Sequence, residues 1–324
     1  MELAADAVSV LYVHGAGNKP PADALKRAWD QDLFGRSMGG RTRMVHYADL
    51  LHGRPGVITA DACGADGALA ALVSDALSGG VPPGGPVAGE TAGASGGSGA
   101  APETGAGEPF GAMTAEQQAF ALSLTISMAA RAASPGAPTA PAVAGSGAGA
   151  SAVATELLPL PGPLRRFLLR QLLERFVPDA NRYFFTAARE TVRNRMRTAL
   201  DAVDGPVVVI GHSLGTVIAY DVLSERRFAG RSVPLFVTLG SPLGYTEIQD
   251  VVVRPLRIPP PVRLWMNFAD RFDLVTLDTT LAGDFRAAAR MIADIPVDNR
   301  SPNNHASCGY LRAGRVRSAV TAAV

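Results

Sequence analysis

The stretch GPVVVIGHSLGTVIAYDVL, residues 205–223, places four β-branched residues, Val207 to Ile210, just before a serine that has a glycine two positions away on either side. A short β-branched run of this kind reads as a buried strand, and the apolar TVIAYDVL that follows reads as a helix. Gly211, His212, Ser213, Leu214 and Gly215 are left to turn the chain between them. The same Gly-x-Ser-x-Gly pattern recurs at GASGG, residues 93–97, around Ser95, in a chain with 35 glycines. The pattern alone does not separate the two serines, but their surroundings do. Ser95 has no strand before it and no helix after it, so Ser213 is the candidate nucleophile.

Around this stretch, the 324 residues are 47% hydrophobic and 18% charged, enough apolar material for one large core over residues 1–324. A net charge of +1 speaks against a nucleic-acid partner, which calls for a strongly basic face. The start, MELAADAVSVLYVHG, has no basic leader region and runs directly into a strand pattern, so the expected location is cytoplasmic. Cys63 and Cys308 lie far apart without metal-ligand spacing and read as reduced thiols. AFALSLTISMAA, 119–130, falls short of the roughly 20 residues a transmembrane helix needs, so no transmembrane segment is expected. The sequence carries no signal for an oligomeric state.

Residues 79–154 form an Ala/Gly/Pro-rich insert, too poor in large apolar side chains to offset its ordering entropy, with one helical pattern, TAEQQAFALSLTISMAARA, inside it. Elsewhere β-branched runs alternate with helical patterns, the signature of an α/β fold with a mainly parallel sheet flanked by helices. Six strands are expected: 8–13, 42–47, 206–211, 234–240, 262–268 and 289–297. Phe184, Ala188, Val192, Met196 and Leu200 recur every four residues, predicting one helix with Asp179 as its N-cap and its arginines on a solvated face.

Strand, glycine-flanked turn and helix together resemble the nucleophile elbow of the α/β-hydrolase superfamily, in particular its lipase-like and esterase-like members with GHSLG. The resemblance covers the strand pattern outside the insert. It implies an α/β-hydrolase fold with a reduced sheet of about six strands and a serine, acid, histidine order along the chain. Of five histidines only His305 follows Ser213, in NNHASCGYL after the last strand. Imidazole titrates near neutral pH and suits the base that a serine hydroxyl requires. After the strand at 262–268 the loop ADRFDLVTLD offers Asp270 and Asp273 as the acid. Asp273, followed by Leu274 and Val275, resembles the family's Asp-x-Val, whereas Asp270 beside Arg271 reads as a loop cap.

The resemblance further implies an oxyanion hole made by the Leu214 amide and one amide of the loop VHGAGNKP after the first strand, Ala16 or alternatively Gly17. His14, Gly15, Gly17 and His212 would line the substrate site, His212 also having a structural reading as a common occupant of the elbow. Neither a metal nor a cofactor is implied. Residues 155–178 contain a basic amphipathic pattern, LPGPLRRFLLRQLLERF, which reads as a lid or membrane-surface helix, or as a helix packed on the core. The expected function is hydrolysis of a small-molecule or lipid carboxylic ester through an acyl-enzyme. The alternatives are a thioesterase or acyltransferase with the same residues, and an inactive hydrolase-fold binding module.

Overall fold

The computed structural model describes residues 8–53, 113–133, 176–273, 275–276, 279–285, 292–299 and 304–324. Six strands form one sheet: β1 (Ser9–Val13), β2 (Thr42–Val45), β3 (Val207–His212), β4 (Val233–Leu239), β5 (Val262–Ala269) and β6 (Ile292–Pro296), in the order β2-β1-β3-β4-β5-β6. Every neighbouring pair is parallel, so the expectation of a mainly parallel sheet becomes an all-parallel one. All six expected strands are present, with ends shifted by up to three residues.

The β-branched runs are buried because both faces of the sheet are covered. Successive side chains point to opposite faces, which divides β3 between two cores. Val207 and Val209 enter one, with Leu11 and Val13 of β1; Val208 and Ile210 enter the other, with Val10 and Tyr12. Helices α1 (Ala22–Phe34), α2 (Ala48–Leu51), α3 (Ala115–Ala133), α4 (Ala188–Asp201), α5 (Leu214–Leu223), α6 (Thr246–Val251), α7 (Ser307–Arg312) and α8 (Gly314–Thr321) follow in chain order. On the first face lie α4 and α5, through Val192, Met196, Leu200, Val217 and Ile218; on the second lie α1, α7 and α8, through Trp29, Leu311 and Val316. Each fully buried side chain of this size contributes about 1.5–3 kcal/mol.

The strand order also locates a crevice. From β1 the chain crosses outward to β2, then returns to place β3 on the other side of β1. The connections leaving β1 and β3 therefore diverge, and in open parallel sheets ligands bind outside the carboxyl ends at such a switch point. The loop after β1 and the turn at Ser213 both sit there.

Several expectations need correction. The single helix predicted through Phe184 and Leu200 is two: residues 176–185 are helical, the chain breaks at 186–187, and α4 begins at Ala188. Thr186 marks the break, its Oγ1 donating to the Arg182 carbonyl and accepting the Ala188 amide, a local side-chain bond that competes with the helix ladder. Asp179 lies inside the first helical segment and not at its N-cap. The arginines are no solvated face: Arg189 pairs with buried Asp221, Arg193 and Arg197 with Glu225, and Arg195 with Asp49. Cys308 is disulfide-bonded and not a reduced thiol.

The helix expected inside the insert is α3, whose Thr114 and Gln117 form a capping box: Thr114 Oγ1 accepts the Gln117 amide at 3.2 Å and Gln117 Oε1 accepts the Thr114 amide at 2.7 Å. Ser95, Cys63, the rest of the insert and all of the amphipathic stretch except Phe176 lie outside the described residues. Among the described residues no helix is long and apolar enough to cross a membrane.

Candidate active site

Ser213 stands between the end of β3 and the first residue of α5, with φ 52° and ψ −128°. Among the described residues it is the one non-glycine with positive φ. Such a conformation costs about 1–3 kcal/mol and persists only where the surroundings impose it. Here its amide donates to the Leu239 carbonyl at 3.0 Å, and its carbonyl accepts from the Thr216 amide at 2.9 Å and from Thr216 Oγ1 at 2.7 Å. The two flanking glycines make room for this turn. A Cβ on Gly211 would lie 2.8 Å from Thr216 Cα, and one on Gly215 would lie 2.2 Å from the Val13 carbonyl oxygen. Both contacts are with backbone, so no side chain could yield. Leu214 opens α5, and the first amides of a helix lack intrahelical acceptors and carry its positive dipole end.

The loop after β1 presses against this turn. A Cβ on Gly15 would come within 2.8 Å of both Ser213 Cβ and His212 Nδ1. His14, expected to line the substrate site, is buried and bonded to backbone. Its Nε2 accepts the Tyr47 amide at 3.0 Å, so its proton sits on Nδ1, which donates to the Gly15 carbonyl at 2.8 Å. The Tyr47 ring stacks on it at 4.0 Å and the Tyr47 hydroxyl donates to the His14 carbonyl at 2.7 Å. The Gly17 amide, the alternative oxyanion donor, is engaged elsewhere: it donates to Asp179 Oδ2 at 2.7 Å. Of the two loop amides, Ala16 is the one that this bond leaves for a ligand.

His305 and Asp273 meet, 32 residues apart in sequence, with Nδ1 2.8 Å from Oδ2. A carboxylate oxygen can only accept from the ring, so Nδ1 carries the proton and Nε2 of the neutral ring is left as the acceptor. Asp273 is fully buried and collects two more donors, the Tyr310 hydroxyl on Oδ2 at 2.7 Å and the Val275 amide on Oδ1 at 2.8 Å. Gly240 closes the site from β4: with φ 55°, a Cβ there would lie 2.7 Å from Asp273 Oδ2 and 3.1 Å from His305 Nδ1. The His305 ring packs against His212, the residue before Ser213, with centroids 4.7 Å apart.

Asp270 takes no histidine. Its carboxylate accepts the Phe272 and Asn299 amides at 2.8 Å each and Asn304 Nδ2 at 3.3 Å, which ties β5 to the loop carrying His305. Burial pushes its carboxyl above the usual carboxylate range, with the nearby Asp273 adding to the rise and these donors opposing it.

Two residues of this site, Asn299 and Tyr310, had no clear signal in the sequence reading. Asn299 donates through Nδ2 to the Asn304 carbonyl at 2.8 Å and the Ala306 carbonyl at 2.9 Å, while His212 Nε2 donates to the His305 carbonyl at 2.8 Å. Three consecutive carbonyls around the histidine are thereby pinned. Tyr310 donates to Asp273 and accepts the Asp270 amide at 3.0 Å, and burial, then the charge of Asp273, raises its hydroxyl well above the ordinary tyrosine value. Asn299 precedes His305 by only six residues, but nothing in NRSPNNHASCG, residues 299–309, shows which asparagine folds back. Ser241, read as shaping its loop, does so: its Oγ accepts the Leu243 amide at 3.2 Å and meets Thr216 Oγ1 at 2.8 Å.

No protein-family model matches the chain, and a search of curated proteins finds no match.

Proposed function

We propose that the chain is a serine hydrolase of α/β-hydrolase type that cleaves carboxylic esters. The observation that carries this reading is Ser213 held at φ 52° on a strand-turn-helix corner, with His305, hydrogen-bonded to Asp273, packed on His212, the residue before Ser213. In this reading His305 Nε2 removes the Ser213 Oγ proton as the hydroxyl attacks the ester carbonyl, and the Ala16 and Leu214 amides hold the oxyanion. His305 then passes the proton to the departing alcohol oxygen. Water, deprotonated by the same ring, attacks the acyl-enzyme and regenerates Ser213. Asp273 keeps the ring in its Nδ1–H form and stabilises the imidazolium, which explains why a buried carboxylate is tolerated there.

The sheet order supports the reading independently, since Ser213 and the Gly15 loop leave the two strands at the switch point. The substrate is a small-molecule or lipid ester, and the reaction needs no cofactor from outside the chain.

Labelling by a fluorophosphonate probe tests the reading. Wild-type protein is expected to be labelled at Ser213, and Ser213→Ala is expected to lose both labelling and p-nitrophenyl ester turnover, by roughly 10⁴- to 10⁶-fold. A folded wild-type protein that neither labels nor turns over short-chain or long-chain esters would leave the fold as a binding module. Transfer of the acyl group to an added alcohol or hydrolysis of an acyl thioester at a higher kcat/KM would assign the same residues to those reactions.

A further inference from the structure

We propose that Asp179 is a positioning residue for the oxyanion loop, a role that rests on the hydrolase reading above. A trans peptide unit is planar, with its carbonyl and amide pointing in opposite directions, so fixing either group fixes the other. Ala16 sits between two such planes, and each is held by one side chain. The plane joining Gly15 and Ala16 is held at the Gly15 carbonyl, which accepts from His14 Nδ1 at 2.8 Å. The plane joining Ala16 and Gly17 is held at the Gly17 amide, which donates to Asp179 Oδ2 at 2.7 Å. The Ala16 amide lies in the first plane, and the hold of Asp179 on the second stops the chain from swinging about Ala16 Cα and drawing that amide off its direction. Gly17 has φ 85°, a backbone state that needs such an external hold to remain the one occupied.

Asp179 reaches this loop from a helical segment 162 residues further along the chain. His52 Nε2 lies 3.0 Å from the same oxygen and supplies the second donor, coming from just beyond α2. Asp179 Oδ1, also buried, meets no hydrogen-bond donor among the described residues. Burying a carboxylate with one oxygen left unsatisfied costs stability. A side chain selected only to fill the core would not carry that cost, whereas one that must aim an amide would.

The test uses the full chain, steady-state hydrolysis of a p-nitrophenyl ester, and binding of an alkyl trifluoromethyl ketone, whose adduct with a serine bears an oxyanion. Asp179→Ala is expected to lower kcat about 30-fold with KM within about twofold, and to weaken the ketone by about the same factor. Asp179→Asn keeps an oxygen where Oδ2 lies and is expected to recover kcat to within about threefold of wild type. A merely structural side chain would move KM, kcat and thermal stability together, and Asn would not rescue the ketone affinity selectively. A folded Asp179→Ala with kcat and ketone affinity within about twofold of wild type overturns the assignment, as does an equal loss in Asp179→Asn. Should Asp179→Ala fail to fold, His52→Ala decides: kcat about fivefold lower at unchanged KM supports the assignment, and unchanged kcat overturns it. Fluorophosphonate labelling separates the two layers. A labelled, active wild type with unaffected variants removes only the role of Asp179, whereas an unlabelled, inactive wild type removes the hydrolase reading and this role with it.

Discussion

Two loops flank Ser213, and they are fixed by different means. The loop after β1 is wedged: Gly15 lies against the Ser213 and His212 side chains and Gly215 of α5 against the Val13 and His14 carbonyls, with bonds from the His14 and Asp179 side chains completing its hold. The loop after β6 is stapled: Asn299 and His212 hold the carbonyls of residues 304, 305 and 306, and Asp270 holds Asn299 and Asn304. The difference follows from what each loop delivers. In the proposed hydrolase the oxyanion donor is a main-chain amide and has to be rigid, which close packing together with these bonds achieves. In the same reading the base is a side chain that exchanges protons between two partners, so it is the main chain of His305 that is pinned.

The largest expected effect distinguishes the two carboxylates of the stapled side. Asp273→Asn places an amide against His305 Nδ1, favours the wrong tautomer, and is expected to lower kcat by roughly 10⁴-fold with little change in unfolding midpoint. Asp270→Asn keeps one acceptor where three donors converge and leaves a buried N–H unpaired. It is expected to destabilise by about 1–3 kcal/mol while kcat falls less than about tenfold. Urea unfolding and ester kinetics on both variants check this, and a larger kcat loss for Asp270→Asn would transfer the acid's role to that residue.

Next come the glycines, one from each loop's support. Gly215→Ala drives a Cβ to 2.2 Å from the Val13 carbonyl oxygen, and Gly309→Ala drives one to 1.5 Å from Asn299 Oδ1 and 2.4 Å from the Asn299 carbonyl oxygen, so both meet backbone. Gly215→Ala therefore forces α5 away from β1 and is expected to cost the upper part of the roughly 1–3 kcal/mol typical of overpacking. Gly309→Ala is expected to cost a comparable amount of stability and, by displacing Asn299, to release the 304 and 306 carbonyls, lowering kcat about tenfold. Thermal unfolding paired with kcat checks both; a Gly309→Ala protein with wild-type kcat would mean that the staples do not position His305.

Most of the scaffold was legible because parallel strands buried on both faces announce themselves locally: VVVIGH and VPLFVTL need no knowledge of their partners. Ser213 was legible for the same reason, since strand, turn and helix are adjacent in the chain. His305 was reached by order alone, as the one histidine after Ser213. What could not be read were bonds spanning the chain without periodicity. Asp179 looked like a helix cap because Asp often is one, yet its partner Gly17 lies 162 residues earlier. His14 looked like a ligand for substrate because it stands beside a glycine loop, and only the Tyr47 amide shows that both ring nitrogens hold backbone. The arginines of α4 were read as a solvated face because Asp221 and Glu225, which pair with them, sit on and just after α5, about 30 residues away.

The smallest expected effect concerns Tyr310, which meets the Asp273 carboxylate and the Asp270 amide. Its hydroxyl donates to Asp273 and accepts from the Asp270 amide, so Tyr310→Phe removes one of three donors to Asp273 and leaves that amide unpaired. His305 and Val275 still hold Asp273, so kcat is expected to fall by no more than about tenfold. The sharper consequence lies in alkaline stability. Burial raises the folded hydroxyl well above its ordinary value, so the unfolded chain loses the proton first as pH climbs. The stabilisation is then complete below the unfolded tyrosine value of about 10 and is lost progressively above it. Wild type is expected to lose unfolding free energy above that pH, and Tyr310→Phe to lose it less steeply, with Tyr12, Tyr183 and Tyr220, also raised by burial, supplying the remaining slope. Parallel curves for the two proteins between pH about 9 and 11 would show that Tyr310 keeps no tighter hold on its proton in the folded state, and the donor assigned to Asp273 would have to be sought elsewhere.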